Sequence, residues 1–167
     1  MNHSLRACFT LLVLGLICVG PAAQEEKKKQ PPRRFGFDID ETTFPQQTPG
    51  DAMKSISRAL DRKKVDYLLA QMVDPLHVDF WVDRYKESFT QGSEEGKRLL
   101  AFDRLVRERT EYLQNDPLIA RDLRIFAQEA KWDETGELAI GTTEKIPTRK
   151  VFLRKMGERW FLDNKQQ

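Results

Sequence analysis

Apolar residues recur at helical spacing in the stretch that follows Thr48. Ala52, Ile56 and Ala59 fall on one face of a 3.6-residue period. Thr48 can cap a helix, and Pro49 suits the first helical position, where no backbone N–H is needed. The pattern therefore predicts a helix that begins at Thr48.

Three further helices are predicted downstream. A short helix begins at Asp66 and ends at Asp74, because the residue before a proline disfavours helical geometry. A second covers the segment PLHVDFWVDRYKESF. The longest should run from about Ser93 to Gln114, where large apolar side chains form a stripe at helical spacing.

After Pro117 the pattern changes from helical spacing to alternation. In DLRIFAQEAKW, the residues Leu123, Ile125 and Ala127 alternate with polar side chains. The segment ELAIGTTEKI follows a turn, and RKVFLRKMGERWFLDN closes the chain's patterned part. These three segments indicate strands joined by short loops, an antiparallel meander.

The last two strands form a predicted hairpin around Gly157. Its two-residue turn is either Met156-Gly157 or Gly157-Glu158. In both registers one face carries Val151, Leu153, Trp160 and Leu162, which we expect to be core. The other face carries the candidate binding surface, Phe152, Arg154, Arg159 and Phe161, and the alternative is an ordinary wet sheet face.

Helices first and strands second indicate an α+β fold. We expect N-terminal helices packed on a C-terminal curved antiparallel sheet, a cone-like α+β roll that forms one domain over residues 48–164. Residues 24–47 are charged and rich in Pro and Gln, and are predicted to be a mostly disordered linker. The alternating FGFDID within it leaves open an edge strand or a segment lying across a groove.

Residues 1–23 have the pattern of a secretory signal peptide. Arg6 precedes the apolar run from Ala7 to Gly20, which is shorter than the ~20 residues of a membrane span. Small residues follow, so cleavage is expected near Ala22–Gln24 and the protein would be secreted or periplasmic. An uncleaved leader that anchors the protein in a membrane is the alternative.

The charge balance bears on partners. The net charge is +2, and the two signs are nearly equal among the 32% of residues that are charged. This balance argues against a nucleic-acid partner. Both cysteines, Cys8 and Cys18, lie in the leader, so a cleaved chain would have no thiol nucleophile and no cysteine metal site.

The order of elements resembles the nuclear-transport-factor-2-like (cystatin-like) superfamily. The resemblance rests on a helix, a basic break and Asp-Tyr-Leu-Leu, and on the closing pattern Val-x-Leu-x-Lys-x-Gly-x-x-Trp-x-Leu, and covers Thr48 to Asn164. It is nearest to short, uncharacterised secreted bacterial members. The resemblance implies a bent sheet wrapped around helices and a central cavity. Relatives bind small molecules there, act as isomerases or dehydratases, dimerise or bind protein. The helical segment from Pro75 to Pro117 departs from larger members, which implies a smaller sheet and a shallow or filled cavity.

Acid–base chemistry has few candidates in this chain. His77 is the one histidine beyond the leader, and Asp79 and Tyr85 lie on the same predicted helix. An isomerase would need such groups held in an apolar cavity, where burial shifts their pKa values. His77 and Asp79 do not have the spacing of a helical metal pair, so we expect no metal site and no cofactor.

Three hypotheses of function remain. The first is a non-enzymatic binding or interaction module for an unknown protein or small molecule, with a homodimer possible. The second is a small cofactor-free isomerase or lyase that uses His77 or Asp79 with a tyrosine. A membrane-anchored envelope component is a third reading. Fold alone does not select among them.

Overall fold

The computed structural model describes residues 33–164, so the predicted leader and residues 24–32 lie outside the described residues. A hairpin of two short strands, β1 (Arg33–Arg34) and β2 (Phe37–Asp38), comes first. Five helices follow: α1 (Pro49–Asp61), α2 (Val65–Gln71), α3 (Pro75–Lys86), α4 (Glu94–Asn115) and α5 (Pro117–Glu129). Four strands end the fold: β3 (Lys131–Thr135), β4 (Leu138–Thr142), β5 (Val151–Met156) and β6 (Arg159–Leu162). The predicted α+β class, with helices N-terminal and the antiparallel sheet C-terminal, is confirmed.

The helices begin where side chains satisfy free backbone N–H groups. The Thr48 hydroxyl accepts a hydrogen bond from the Asp51 N–H at 3.1 Å, at the start of α1. Ser93 does the same for α4, and Asp74 and Asp116 do so for α3 and α5, each followed by a proline. Each cap of this kind stabilises its helix by about 1 kcal/mol. The predicted starts of α1 and α4 are confirmed.

Residues 117–129 form helix α5, so the prediction of a strand through DLRIFAQEA is wrong. The same segment carries a second pattern, since Leu123, Phe126, Ala127 and Ala130 recur at helical spacing and pack on the core. The helix is favoured because it packs against α1 and buries Phe126 on the same face as Leu123. In a strand, Phe126 and Leu123 would lie on opposite faces. Only Lys131–Thr135 at the end of that segment is a strand.

The four-stranded sheet has the order β3-β4-β5-β6, and all neighbours are antiparallel. The pair Met156–Arg159 closes the last hairpin, so its turn is Gly157-Glu158, with Gly157 at φ 63°. This confirms one of the two predicted turns. Leu153 lies opposite Leu162, which places both on the predicted core face.

Residues 33–47 are folded, which differs from the disordered linker expected there. Phe35 and Gly36 both have positive φ and form the turn between β1 and β2. The Phe35 ring stacks on Phe102 of α4 at 4.1 Å between centroids, and the Phe44 ring stacks on Tyr67 at 4.7 Å. These aromatic contacts offset the cost of ordering the segment. The folded domain therefore includes residues 33–47.

The outer side of β6 is covered by two connecting segments. The Trp160 N–H donates to the Gln46 carbonyl at 2.9 Å. The Leu162 N–H donates to the Met72 carbonyl at 2.8 Å, and the Leu162 carbonyl accepts from the Asp74 N–H at 2.9 Å. These bonds place the helices against one end of the sheet, with a space left between the helices and the β5–β6 hairpin.

Candidate functional site

The space between the helices and the β5–β6 hairpin is an apolar crevice of about 300 Å³. All five helices, both strands and the α2–α3 connection contribute to its wall. Its apolar lining consists of Ile56, Leu60, Val65, Leu68, Leu69, Val73, Leu113, Ile119, Leu123, Val151, Phe152 and Leu162. A lining of this kind favours an apolar ligand, because binding removes the exposed parts of both from water.

Polar side chains lie around the crevice: His77, Arg109, Tyr112, Lys150, Asp163 and Asn164. Arg109 projects from α4, and its guanidinium carbon lies 5.6 Å from the centre of the Trp81 ring. Lys150 is exposed just before β5. The Asp163 side chain is only 6% exposed and accepts a hydrogen bond from the Arg154 guanidinium at 3.1 Å. The acid is therefore already paired within the protein.

His77 is half-buried in the wall of this crevice, near Trp81. Burial lowers the pKa of its imidazole, and the positive charge of Arg109 lowers it further, while Asp74 and Asp163 act in the opposite direction. A pKa below the usual 6.5 keeps the ring neutral at neutral pH. His77 therefore brings a neutral hydrogen-bonding group to the crevice and not a charge.

Asp79 lies in a different place, between two arginines. Its Oδ1 accepts hydrogen bonds at 2.9 Å from both Arg34 and Arg98. Arg34 is buried, and burial lowers the pKa of its guanidinium, although Asp79 opposes that shift. These residues, with Arg33 and Glu95, border a second groove of about 630 Å³ beside the β1–β2 turn. Asp79 thus holds the N-terminal hairpin to the helices and is not part of the crevice wall.

Tyr85 lies in a third setting, on the surface between α3 and α4. Its hydroxyl donates a short hydrogen bond to Glu108. Burial raises the pKa of the Tyr85 hydroxyl, and so does the bond to the Glu108 carboxylate. The Arg104 guanidinium lies over the ring, 4.4 Å from its centre. Of the three predicted acid–base candidates, only His77 lines the crevice.

The four hairpin residues proposed as a binding surface are mostly buried. Phe161 is 0% exposed and Phe152 is 5% exposed, with Phe152 forming part of the crevice wall. Arg159 is buried as well, and Arg154 is paired with Asp163. These side chains do not form an exposed amphipathic face, and that part of the prediction is corrected. The neighbouring Val151 and Leu162 still bring this hairpin to the site, through the crevice wall.

Arg159 is the centre of a buried polar network that the sequence pattern did not indicate. Its guanidinium donates to the Gln71 carbonyl at 2.8 Å and makes a short hydrogen bond to the Gln46 side chain. The Gln46 amide donates in turn to the Trp160 carbonyl at 2.7 Å, and the Gln71 amide to the Phe37 carbonyl at 2.7 Å. This network joins the N-terminal segment, α2 and β6, and so fixes one side of the crevice.

Arg109 and Lys150 are the site residues that sequence reasoning missed. Arg109 lies in a run of alternating charges on α4, and Lys150 is one of several cations that precede β5. Within residues 33–164, no carboxylate oxygen comes within ion-pairing distance of either side chain, whereas Asp163 beside them is paired with Arg154. Among the described residues, these two positive side chains therefore have no salt bridge beside the apolar walls, although the Glu108 carboxylate interacts with Arg109 over a longer distance.

Residues 33–164 contain neither a membrane-spanning helix nor a cluster of metal ligands. None of the helices between residues 33 and 164 combines the length and the apolar character needed to cross a bilayer. Across that part of the chain, no three His, Cys, Asp or Glu side chains group closely enough to hold a metal ion.

The chain matches no model of a protein family, no curated protein and no solved structure. The relationship to the nuclear-transport-factor-2-like superfamily therefore stays a prediction. The function has to be inferred from the crevice and the side chains around it.

Proposed function

We propose that this protein is a non-enzymatic binding module that holds a small apolar molecule in the crevice between its helices and the β5–β6 hairpin. The observation that carries the proposal is the composition of the wall, in which twelve apolar side chains from separate elements face one space of about 300 Å³. Ligand pockets in proteins span about 300–1,000 Å³ and have mainly apolar walls with a few polar groups. The crevice has the size of the smaller members of that class.

Contacts outside the crevice hold the helices and the hairpin together, which supports a site that is formed before a ligand binds. The Arg159 network and the backbone bonds to Met72 and Asp74 hold β6 against the helices on one side. Helix α5 packs on α1 at the other side. A site that does not have to be ordered by its ligand binds more tightly, because the ordering cost is already met in folding.

The proposal also includes secretion, with the residues that resemble a leader directing export. If the relationship to nuclear-transport-factor-2-like proteins holds, the crevice corresponds to their central cavity, where some members bind small molecules. An acid–base enzyme receives less support, because Asp79 and Tyr85 contact Arg34 and Glu108 outside the crevice, so that His77 is the one predicted acid–base candidate in its wall.

The test is binding of an uncharged, environment-sensitive dye such as Nile red to the full chain. Leu113→Trp places a larger side chain in the crevice wall, and we expect it to abolish the fluorescence increase seen with the unsubstituted protein. Leu118→Trp is the matched control, because Leu118 is exposed on α5 and is not among the residues that line the crevice. Equal dye binding by the two variants, or no binding by the unsubstituted protein, would contradict the proposal.

A further inference from the structure

We propose that the natural ligand of the crevice is a single-chain amphiphile with one carboxylate, held by its apolar chain in the crevice and by its carboxylate at Arg109 and Lys150. This inference rests on the proposed function and adds the chemical class of the ligand. It follows from three features of the site: the volume of the crevice, the charged side chains that line it and the way those charges are paired.

The volume limits the length of the apolar part. At ~30 Å³ per heavy atom, which is the volume of a water molecule in the liquid, a space of about 300 Å³ accommodates roughly ten heavy atoms. An unbranched chain of this length also suits a space between packed helices and a sheet, because it can follow the wall that Leu68, Leu113 and Phe152 form. A medium-length alkyl chain therefore fits the crevice.

The charges around the crevice select the head group. Arg109 and Lys150 are both positive, and within residues 33–164 neither has a carboxylate at ion-pairing distance. Asp163 is the acid that borders the crevice, and Arg154 already pairs with it. His77 is neutral at neutral pH, since burial and Arg109 lower its pKa. The site is thus complementary to a negatively charged head group.

The position of the Arg109 side chain favours direct contact with a ligand. Its guanidinium lies over the Trp81 ring, which holds the side chain in place without using its hydrogen-bonding groups. A guanidinium held in this way can donate two parallel hydrogen bonds to a carboxylate, whereas Lys150 contributes a flexible point charge. The groove beside the β1–β2 turn differs in this respect, because Asp79 already accepts from Arg34 and Arg98 there.

Decanoate, decanol and decyltrimethylammonium are the probes that test the inference, since they share a ten-carbon chain and differ in charge. Binding to the full chain is measured by isothermal titration calorimetry at pH 7 and low salt. We expect decanoate to bind most tightly and the cationic probe least tightly. Arg109→Gln should weaken decanoate binding about tenfold and leave decanol binding unchanged. Lys150→Gln should weaken decanoate binding less, because its ammonium is exposed.

Arg107→Gln is the matched control, because Arg107 is exposed on the same helix and does not line the crevice. The chain-length series from hexanoate to dodecanoate gives a second, independent readout. Each added CH₂ should strengthen binding about fourfold while the crevice is filling, and the gain should stop near ten carbons.

The outcomes separate this inference from the proposed function. If decanol binds as tightly as decanoate and Arg109→Gln changes neither, the crevice binds apolar molecules but the carboxylate assignment is wrong. If neither probe binds and the dye does not bind, the proposed function itself is wrong. Equal weakening of decanoate binding by Arg107→Gln and Arg109→Gln would show a general charge effect and would also overturn the assignment.

Discussion

Replacing Phe161 by alanine should greatly lower the free energy of unfolding of this protein and should have little effect on surface contacts. Phe161 is 0% exposed and lies on β6, opposite Arg154 of β5. Removing a fully buried phenyl ring loses roughly 1.5–3 kcal/mol of transfer free energy. The cavity left behind adds to that loss, so the total is about 3–5 kcal/mol. This is a large fraction of the ~5–15 kcal/mol by which a typical domain is stable.

The assay is urea unfolding of the full chain, followed by circular dichroism. With a denaturant dependence of about 1–3 kcal/mol per molar urea, the midpoint should fall by about 2 M. Phe80→Ala is the matched control, because it makes the same chemical change at a side chain that is 58% exposed on α3. We expect its midpoint to stay within a few tenths of a molar of the unsubstituted protein.

Equal urea midpoints for the two variants would refute this reasoning. If Phe161→Ala and Phe80→Ala unfold at the same urea concentration, Phe161 does not contribute to the core, and the hairpin face is a surface after all. Such a result would restore the interpretation of Phe152, Arg154, Arg159 and Phe161 as an exposed binding surface.

Two other substitutions test the network and the crevice wall. Arg159→Met leaves the Gln71 carbonyl and the Gln46 side chain without their guanidinium donor, and should lower the free energy of unfolding by about 2–4 kcal/mol. In the same urea assay the control Arg33→Met, at an exposed side chain, should change the free energy of unfolding by less than about 0.5 kcal/mol. Similar losses in the two variants would contradict a specific role for the network. His77→Gln tests the pH dependence of stability. The pKa of His77 is lowered in the folded state, so the unfolded chain binds more protons than the folded protein as the pH falls below about 6.5. The unsubstituted protein therefore loses the stability contributed by the neutral His77 imidazole between pH 7 and 5. The stability advantage of the unsubstituted protein over His77→Gln should therefore shrink from pH 7 to pH 5, and a difference that stays constant would show that burial of the neutral imidazole does not contribute.

The parts of the fold that sequence alone predicted are those whose signals are local. Thr48 with Pro49 begins α1, and Ser93 begins α4, because a capping side chain and its N–H partner are neighbours in the chain. The closing hairpin was predicted for the same reason, since Gly157 supplies the positive φ of a two-residue turn.

The parts that were missed depend on contacts between distant segments. Leu123, Ile125 and Ala127 do alternate with polar side chains, but packing against α1 stabilises a helix in this segment. Phe35 and Phe44 looked like scattered aromatics in a polar linker, because their stacking partners on α4 and α2 are far away in the sequence. Tertiary packing of this kind overrides local propensity.

The candidate site was predicted only in part. His77 was among the acid–base candidates and does line the crevice, but Asp79 and Tyr85 were grouped with it through helix proximity alone. Arg109 and Lys150 carried no signal, since a single cation in a charged run is usually solvated. Their proposed role depends on their lack of a salt bridge in the folded protein, and a linear pattern does not contain that information.

The two edge strands of the four-stranded sheet, β3 and β6, differ in how far their backbone groups are satisfied. Gln46, Met72 and Asp74 occupy the free backbone groups of β6, whereas β3 is largely exposed, and none of the hydrogen bonds found within residues 33–164 reaches its far side. If a second copy adds to β3 by strand addition, the joined four-stranded sheets have no free edge strand left between them. Self-association by this route would stop at a two-fold pair and would not grow into a filament.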